Sequence, residues 1–419
     1  MNIWAKNSTN LRLLVVSAII TFSGLFCDSA LSDDAPDDHS RTREYYRRMG
    51  LWIVPATIAD RSGFALLATG SNIVAVHARN GASDFPEHSL LQPSSNPETA
   101  PLFAAMPFGC LGLPMKKGIA VGMNLEPLQE VTHLPISAFA AMPYLRQHII
   151  RLDPAEGRID VLNDVEGIAN DVQLKIEWVN ELPRVPVNLP VLGHRTLVLE
   201  TGASQVLTLG PERVQTLERM GHIVKVGSRS QGIKFNLNNS SKLNLTEQIY
   251  VLRWLEFGGV RFENIPVEVQ DKEKIGLGLL RYFRTTLNFP NDRIHLEPLT
   301  RDRSAQVPLV AVGMNLSFHD SDHLMVESVT AGYPARSNGI EVGDRVLSID
   351  GHVPTDLSRY EIKDILSESG KTVPFDLQRG DRRFHVDLKL EHPFPWPPQW
   401  KPELPEFDPI AESENQSTQ

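Results

Sequence analysis

A chain of 419 residues with 41% hydrophobic and 22% charged content can bury one large core or two to three smaller ones, as an ordinary globular protein does. Its formal net charge of -10 is spread rather than blocked, which excludes a nucleic-acid surface, since phosphate binding requires clustered Lys and Arg. Its two cysteines, Cys27 and Cys110, exclude a disulfide framework.

The chain begins with Lys6 and Arg12 ahead of an uncharged apolar run from Leu13 to Phe26, then Ser29, Ala30 and Ser32. Charged region, apolar core and small-residue zone together predict a signal peptide over residues 1–32, cleaved after Ser32. The run is shorter than the about 20 residues a spanning helix needs, so export to the periplasm, envelope or exterior is expected. An uncleaved anchor is the alternative. A lipid anchor on Cys27 is a second one, with bulky Phe26 set against it. Removal of the signal leaves Cys110 alone.

Residues 33–48 read as a linker, acidic over Asp33 to Asp38 and basic over Arg41 to Arg48, the basic cluster being a solvated helix start. A first unit is expected over 49–165, with short strands that are β-branched or alternate apolar and polar, and a surface loop rich in Ser, Pro and Asn between Ser83 and Pro101. A second unit follows over 172–300. In it Gln173 to Trp178 and Phe262 to Val269 alternate at the strand period.

The two units rhyme. Val54-Pro55-Ala56 leads to Phe64 and on to Ala68-Thr69-Gly70-Ser71, and Val185-Pro186-Val187 leads to Thr196 and on to Glu200-Thr201-Gly202-Ala203-Ser204. Their far ends match as well: Leu145-Arg146, a strand, a turn and Arg158-Ile159 in one, Leu280-Arg281, a strand, a turn and Arg293-Ile294 in the other. Two matching ends in the same order indicate a duplicated domain.

Over Met49 to Pro298 this arrangement resembles the aspartic proteases, whose two lobes, or two subunits in the retroviral type, each bring an Asp-Thr-Gly loop to a shared floor. The resemblance implies two tandem aspartic-protease-like β-barrel lobes, with Thr69 and Thr201 interlocking and Gly70 and Gly202 turning closely beneath the acids. It also implies an apolar-apolar-Gly strand behind each loop, which Ile275-Gly276-Leu277-Gly278 fits and Ile136-Ser137-Ala138-Phe139 matches poorly. Both aspartates are replaced, by Ala68 and by Glu200. The chemistry needs two carboxyls sharing a proton. Ala68 supplies none, and Glu200 is displaced by roughly 1 to 1.5 Å where catalytic groups tolerate about 0.5 Å.

From 308 to 391 the chain resembles a PDZ domain, of the form found in exported bacterial proteases. The carrying residues are Val326 to Val329, Gly332-Tyr333-Pro334-Ala335, Gly339-Ile340, Gly343 to Ile349 and Asp350-Gly351. One helical turn over Ala335 to Asn338 ending at Gly339, a reversal at Gly343-Asp344 and a two-residue hairpin at Asp350-Gly351 are expected. A helix over about Asp356 to Ser369 would use Leu357, Tyr360, Ile365 and Leu366 as its apolar positions. In the family a peptide adds to the sheet edge beside that helix, with loop amides on its carboxylate, which here falls on Gly313-Met314-Asn315-Leu316. The other reading of Gly313 is a turn between domains. Residues 392–419, rich in Pro and acids and then Ser and Gln, predict an extended or disordered tail.

His319 and His323 have ligand spacing but sit in a polar turn without paired cysteines, so no metal is expected, and no other cofactor. Gly109-Cys110-Leu111-Gly112 and Gly276-Leu277-Gly278 lack the strand, helix and acid of a nucleotide loop. Ser71 and Ser204 have no His to activate them. The sequence thus predicts a mainly β, exported pseudoprotease that binds polypeptide or protein C-termini through its PDZ domain and uses its cleft for an extended chain or for structure alone. The alternative is an aspartic-type endopeptidase with a Glu200 centre, including a homodimer that pairs two Glu200 carboxylates.

Overall fold

The computed structural model describes residues 38–400, apart from 60, 79–88, 93–101, 105–107, 115–118, 127, 130–133, 167–171, 231–233, 237–238, 244–245, 301, 311, 320–321 and 392–397. The expected signal peptide lies outside the described residues. Among them no helix is long and apolar enough to cross a membrane. The fold is mainly β, with barrel-like sheets and a separate five-stranded C-terminal module.

In the first unit the strand Arg61–Ala68 is buried on both faces from Phe64 onward, as its unbroken apolar run requires. It pairs antiparallel with Ile53–Ile58 and parallel with Ile136–Ala141, Ala68 standing opposite Ala141. Val74–His77 runs antiparallel to Ile136–Ala141 on its other side. The second unit repeats this pattern. Gly193–Glu200 pairs antiparallel with Leu182–Leu189 and parallel with Lys274–Gly276, Glu200 standing opposite Gly276, and Leu207–Leu209 is antiparallel to Lys274–Gly276. A short helix follows in each, Met142–Leu145 and Leu277–Leu280. The residue equivalent to Gly276 is therefore Ala141. The expected counterpart, Ile136 to Phe139, is corrected to Ala140-Ala141-Met142, where a small side chain again stands behind the loop.

The matching far ends of the two units meet each other. Ile149–Asp153 and Phe283–Asn288 form the antiparallel centre of a five-stranded sheet, in which Arg151 faces Thr286. A single hydrophobic cluster runs through both units, including Trp52, Phe139, Tyr144, Leu199, Phe257 and Phe283. The expected surface loop of 83–101 contains a strand, Ser89–Gln92, paired with Leu102–Ala104.

The linker expected over 33–48 is corrected by a helix, Asp38–Met49. Its arginines conceal an apolar face: Tyr45, Tyr46 and Met49 are buried, with Tyr46 stacked on Trp52 at 3.9 Å and Tyr45 edge-on to Phe64 at 5.1 Å. Gly50 ends the helix in the left-handed region at φ +66, and its N–H donates to Tyr46 O at 2.8 Å.

The C-terminal module is a five-stranded sheet in which Met314–Phe318 is an outer strand, next to Leu324–Val329, with its own core around Val326, Ile340, Ile349, Phe375 and Leu388. Pro334–Ser337 forms the expected turn of helix, and Gly339 (φ +77), Gly343 (φ +88) and Asp350-Gly351 (φ 52 and 79) make the expected reversals. Asp344, fully buried, ties the module together by accepting from Arg379 through both carboxylate oxygens, at 2.6 and 2.9 Å, and from Glu341 N at 2.8 Å. The helix expected over 356–369 is Arg359–Ile365, started by a reciprocal cap between Ser358 and Glu361. Its Ile362 and Leu366 enter the module's core, whereas Tyr360 leaves it. The Tyr360 hydroxyl donates to Gly50 O at 3.2 Å, Arg281 bonds Asp364 at 2.9 Å, and Arg47 donates to Asp356 O at 2.7 Å, so the module is fastened to the body of the protein along this helix. Within the expected tail the described residues 398–400 pack: Pro398 is buried, and Trp400 lies against Val226, Val251, Leu309 and Tyr333.

Candidate functional site

The two strands that end at Ala68 and Glu200 carry their loops to one place. Thr69 and Thr201 are fully buried there. The Thr69 hydroxyl donates to Leu199 O at 2.6 Å and accepts from Thr201 N at 3.0 Å; the Thr201 hydroxyl donates to Leu67 O at 2.9 Å and accepts from Thr69 N at 3.2 Å. Behind the loops the units match again, Met142 N donating to Ser71 O at 2.9 Å and Leu277 N to Ala203 O at 2.8 Å. The Ser71 hydroxyl is turned back on its own loop, donating to Ile73 O at 2.8 Å, and is not poised as a nucleophile. Ser204 is half-buried just past the second loop.

Glu200 lies 3% exposed between the loops. Its Oε1 accepts from Gly202 N of its own loop at 2.9 Å and from Gly70 N of the opposite loop at 3.2 Å. One carboxylate oxygen thus serves the amides of both turns. Its extra methylene, read from the sequence as a misplacement of charge, is what lets the group cross. Gly70 must lack a side chain, because a Cβ there would fall 1.6 Å from Glu200 Oε2. Across the floor Ala68 offers only a methyl group, 3.3 Å from where a Cβ on Gly202 would stand.

Sequence reasoning missed Lys272, which sits in the charged run Asp271 to Lys274 and looks like a surface turn. Its ammonium donates to Gly70 O at 2.7 Å. Burial pulls the lysine below its ordinary range, and the Glu200 carboxylate pulls it back up. The second unit therefore grips one residue of the first at both ends: Gly70 N–H by Glu200 and Gly70 C=O by Lys272. Two acids that share a proton around a water are the requirement for aspartic-type hydrolysis. Among the described residues this floor holds one acid, committed to two backbone donors, and a cation beside it.

The expected peptide-binding residues Gly313, Met314, Asn315 and Leu316 lie together at the start of the outer strand. Gly313 has φ +72, and a Cβ on it would fall 2.0 Å from Tyr333 Cβ, so the chain turns tightly against Pro334–Ser337 before the strand begins. Asn315 is exposed, and its amide donates to Ser328 on the neighbouring strand at 2.8 Å. Of the candidate metal pair, His319 is bonded to Glu327, and Asp320 and Ser321 of that turn lie outside the described residues. Among the described residues no three His, Cys, Asp or Glu side chains are grouped to hold a metal.

Residues 310–390 match the family model of the PDZ domain. No aspartic-protease family model matches the chain, and no curated protein does.

Proposed function

We propose that this is an exported, non-catalytic protein whose PDZ module captures polypeptide C-termini, carried on two aspartic-protease-like lobes whose active-site floor has become a latch between them. The observation that supports the lack of catalysis is the single Glu200 carboxylate accepting from both Gly70 and Gly202 amides, in the place where two acids with a water between them are required. The interlocked Thr69 and Thr201, the repeated strand pattern and the shared central sheet support the protease ancestry. The outer strand Met314–Phe318, opening at Gly313 in a module that matches the PDZ family, supports peptide capture by strand addition with backbone amides on the terminal carboxylate.

Incubation of the full chain with unfolded protein substrates from acidic to neutral pH tests the catalytic half of the reading. No cleavage is expected. Pepstatin-sensitive cleavage that disappears in Glu200→Gln would replace the proposal with an endopeptidase centred on Glu200. The paired change Ala68→Asp and Glu200→Asp is the converse experiment, expected to bring back weak acid proteolysis.

A further inference from the structure

The outer strand of the PDZ module runs from Met314 to Phe318, and beyond its far end lies a cavity of about 640 Å³. The cavity is built from three parts of the chain: Phe318 and Leu357 of the module, the turn Glu156 to Arg158 of the first unit, and the N-terminal helix Asp38–Met49. Its charge is unusual for a chain of net -10, for four arginines (Arg43, Arg47, Arg48 and Arg158) face two glutamates (Glu44 and Glu156). Arg48 is neutralised by Glu44 at 2.8 Å, and Arg158 by Asp160 at 3.1 Å. Arg47 donates to a neutral carbonyl, Asp356 O, at 2.7 Å, and Arg43 stands exposed at the rim. The Arg48 guanidinium also lies over the Phe318 ring, 5.7 Å from its centre, which places positive charge at the end of the strand.

We propose that this cavity is a second subsite for the captured polypeptide, selecting Asp and Glu a few residues upstream of the C-terminus. The inference rests on the reading of the module as a C-terminus binder. A peptide added antiparallel to Met314–Phe318, with its carboxylate at Gly313, advances about 3.4 Å per residue and passes Phe318 at about its fifth residue from the end. The sixth to eighth residues then enter the space beside Arg43 and Arg47. A neutral segment gains nothing there and a basic one meets Arg43 and Arg47 as well as Glu156, whereas an acidic one meets guanidinium groups whose planar donors suit carboxylates.

The test uses the full chain and three fluorescent peptide pools, each with five randomised C-terminal residues and a free carboxylate, preceded by Glu-Glu-Glu, Lys-Lys-Lys or Gly-Ser-Gly. Anisotropy at low salt should show the acidic pool binding about three- to tenfold more tightly than the Gly-Ser-Gly pool, the size expected of two partly screened ion pairs. The basic pool should be the weakest. Arg43→Glu, an exposed change, should reduce the acidic advantage without altering the Gly-Ser-Gly pool, and 0.5 M salt should do the same in the unaltered protein. Equal binding of all three pools, still lost on C-terminal amidation, would overturn the subsite and leave the C-terminus reading intact. Binding by none, or binding indifferent to amidation, would overturn both.

Discussion

Thr69 and Thr201 hold one another by four hydrogen bonds, each hydroxyl donating to a carbonyl of the opposite strand and accepting the opposite threonine's own amide. Both residues are sealed from water. A change of either to Val keeps the shape but leaves a buried amide and a buried carbonyl without partners, which costs about 2 to 4 kcal/mol. Denaturant unfolding should show that loss for Thr69→Val and for Thr201→Val. The double change should cost less than the two singles summed, because the bonds form one network.

At Glu200 the variants separate acceptor from charge. Glu200→Gln keeps an oxygen for Gly70 N and Gly202 N and should fall within about 1 kcal/mol of the parent, whereas Glu200→Ala strands both amides at about 2 to 4 kcal/mol. Ala68→Asp alone puts a second carboxyl beside the first. The pair then resists double ionisation, which raises the folded-state affinity for a proton, so stability is lost as pH rises above the ordinary carboxylate range. Melting temperatures of Ala68→Asp and the parent should accordingly lie closer at pH 4.5 than at pH 7.

Lys272→Met removes the donor to Gly70 O while keeping the aliphatic stem, and should cost about 1 to 3 kcal/mol in chemical unfolding. The folded-state proton affinity of this lysine is lowered, chiefly by burial. In the window between that lowered value and the usual lysine range the unfolded chain binds more protons. The advantage of the parent over the variant should therefore grow as pH rises through that window.

Cys110 is buried, and burial pushes its thiol up from 9.0 to about 12, with Tyr144 hydrogen-bonded alongside. Thiol reagents should therefore leave Cys110 of the native protein unlabelled at pH 8 and modify it only at the rate of unfolding. From pH 9 towards 12 the unfolded chain ionises this group while the folded one does not, so the parent should lose stability relative to Cys110→Ala across that span. Labelling of Cys110, located by peptide mapping, as fast as a free thiol in the native state would contradict the burial.

Much of this was readable because it is local. Thr-Gly turns after apolar strands, the Leu-Arg ends and the Gly-Asp reversals of the module each sit within a few residues, where spacing alone dictates geometry. What could not be read depends on distance across the fold. Nothing near Glu200 says that its longer arm reaches the amide of Gly70, and a Lys in a charged run gives no sign that it meets Gly70 O. Ala141 has no glycine to mark it, and only the register of its strand shows that it is the counterpart of Gly276. The buried face of the helix Asp38–Met49 is masked by its arginines, although Tyr45, Tyr46 and Met49 recur at helical spacing. Tyr360 reads as one of the helix's apolar positions, yet it serves the contact with Gly50. The start of its helix was legible all along in Ser358 and Glu361, three residues apart.

The sheet in which Ile150 pairs with Leu287 also dictates an order of events during synthesis. Those partners are 287 - 150 = 137 residues apart, so the earlier strand must wait until nearly the whole second unit has been translated. At about 5 to 20 residues per second that delay is roughly 7 to 27 s, during which an unpaired apolar edge is open to misassociation. A nascent chain released before residue 288 should thus be a ward for chaperones and proteases, and one released after it should be able to close on itself.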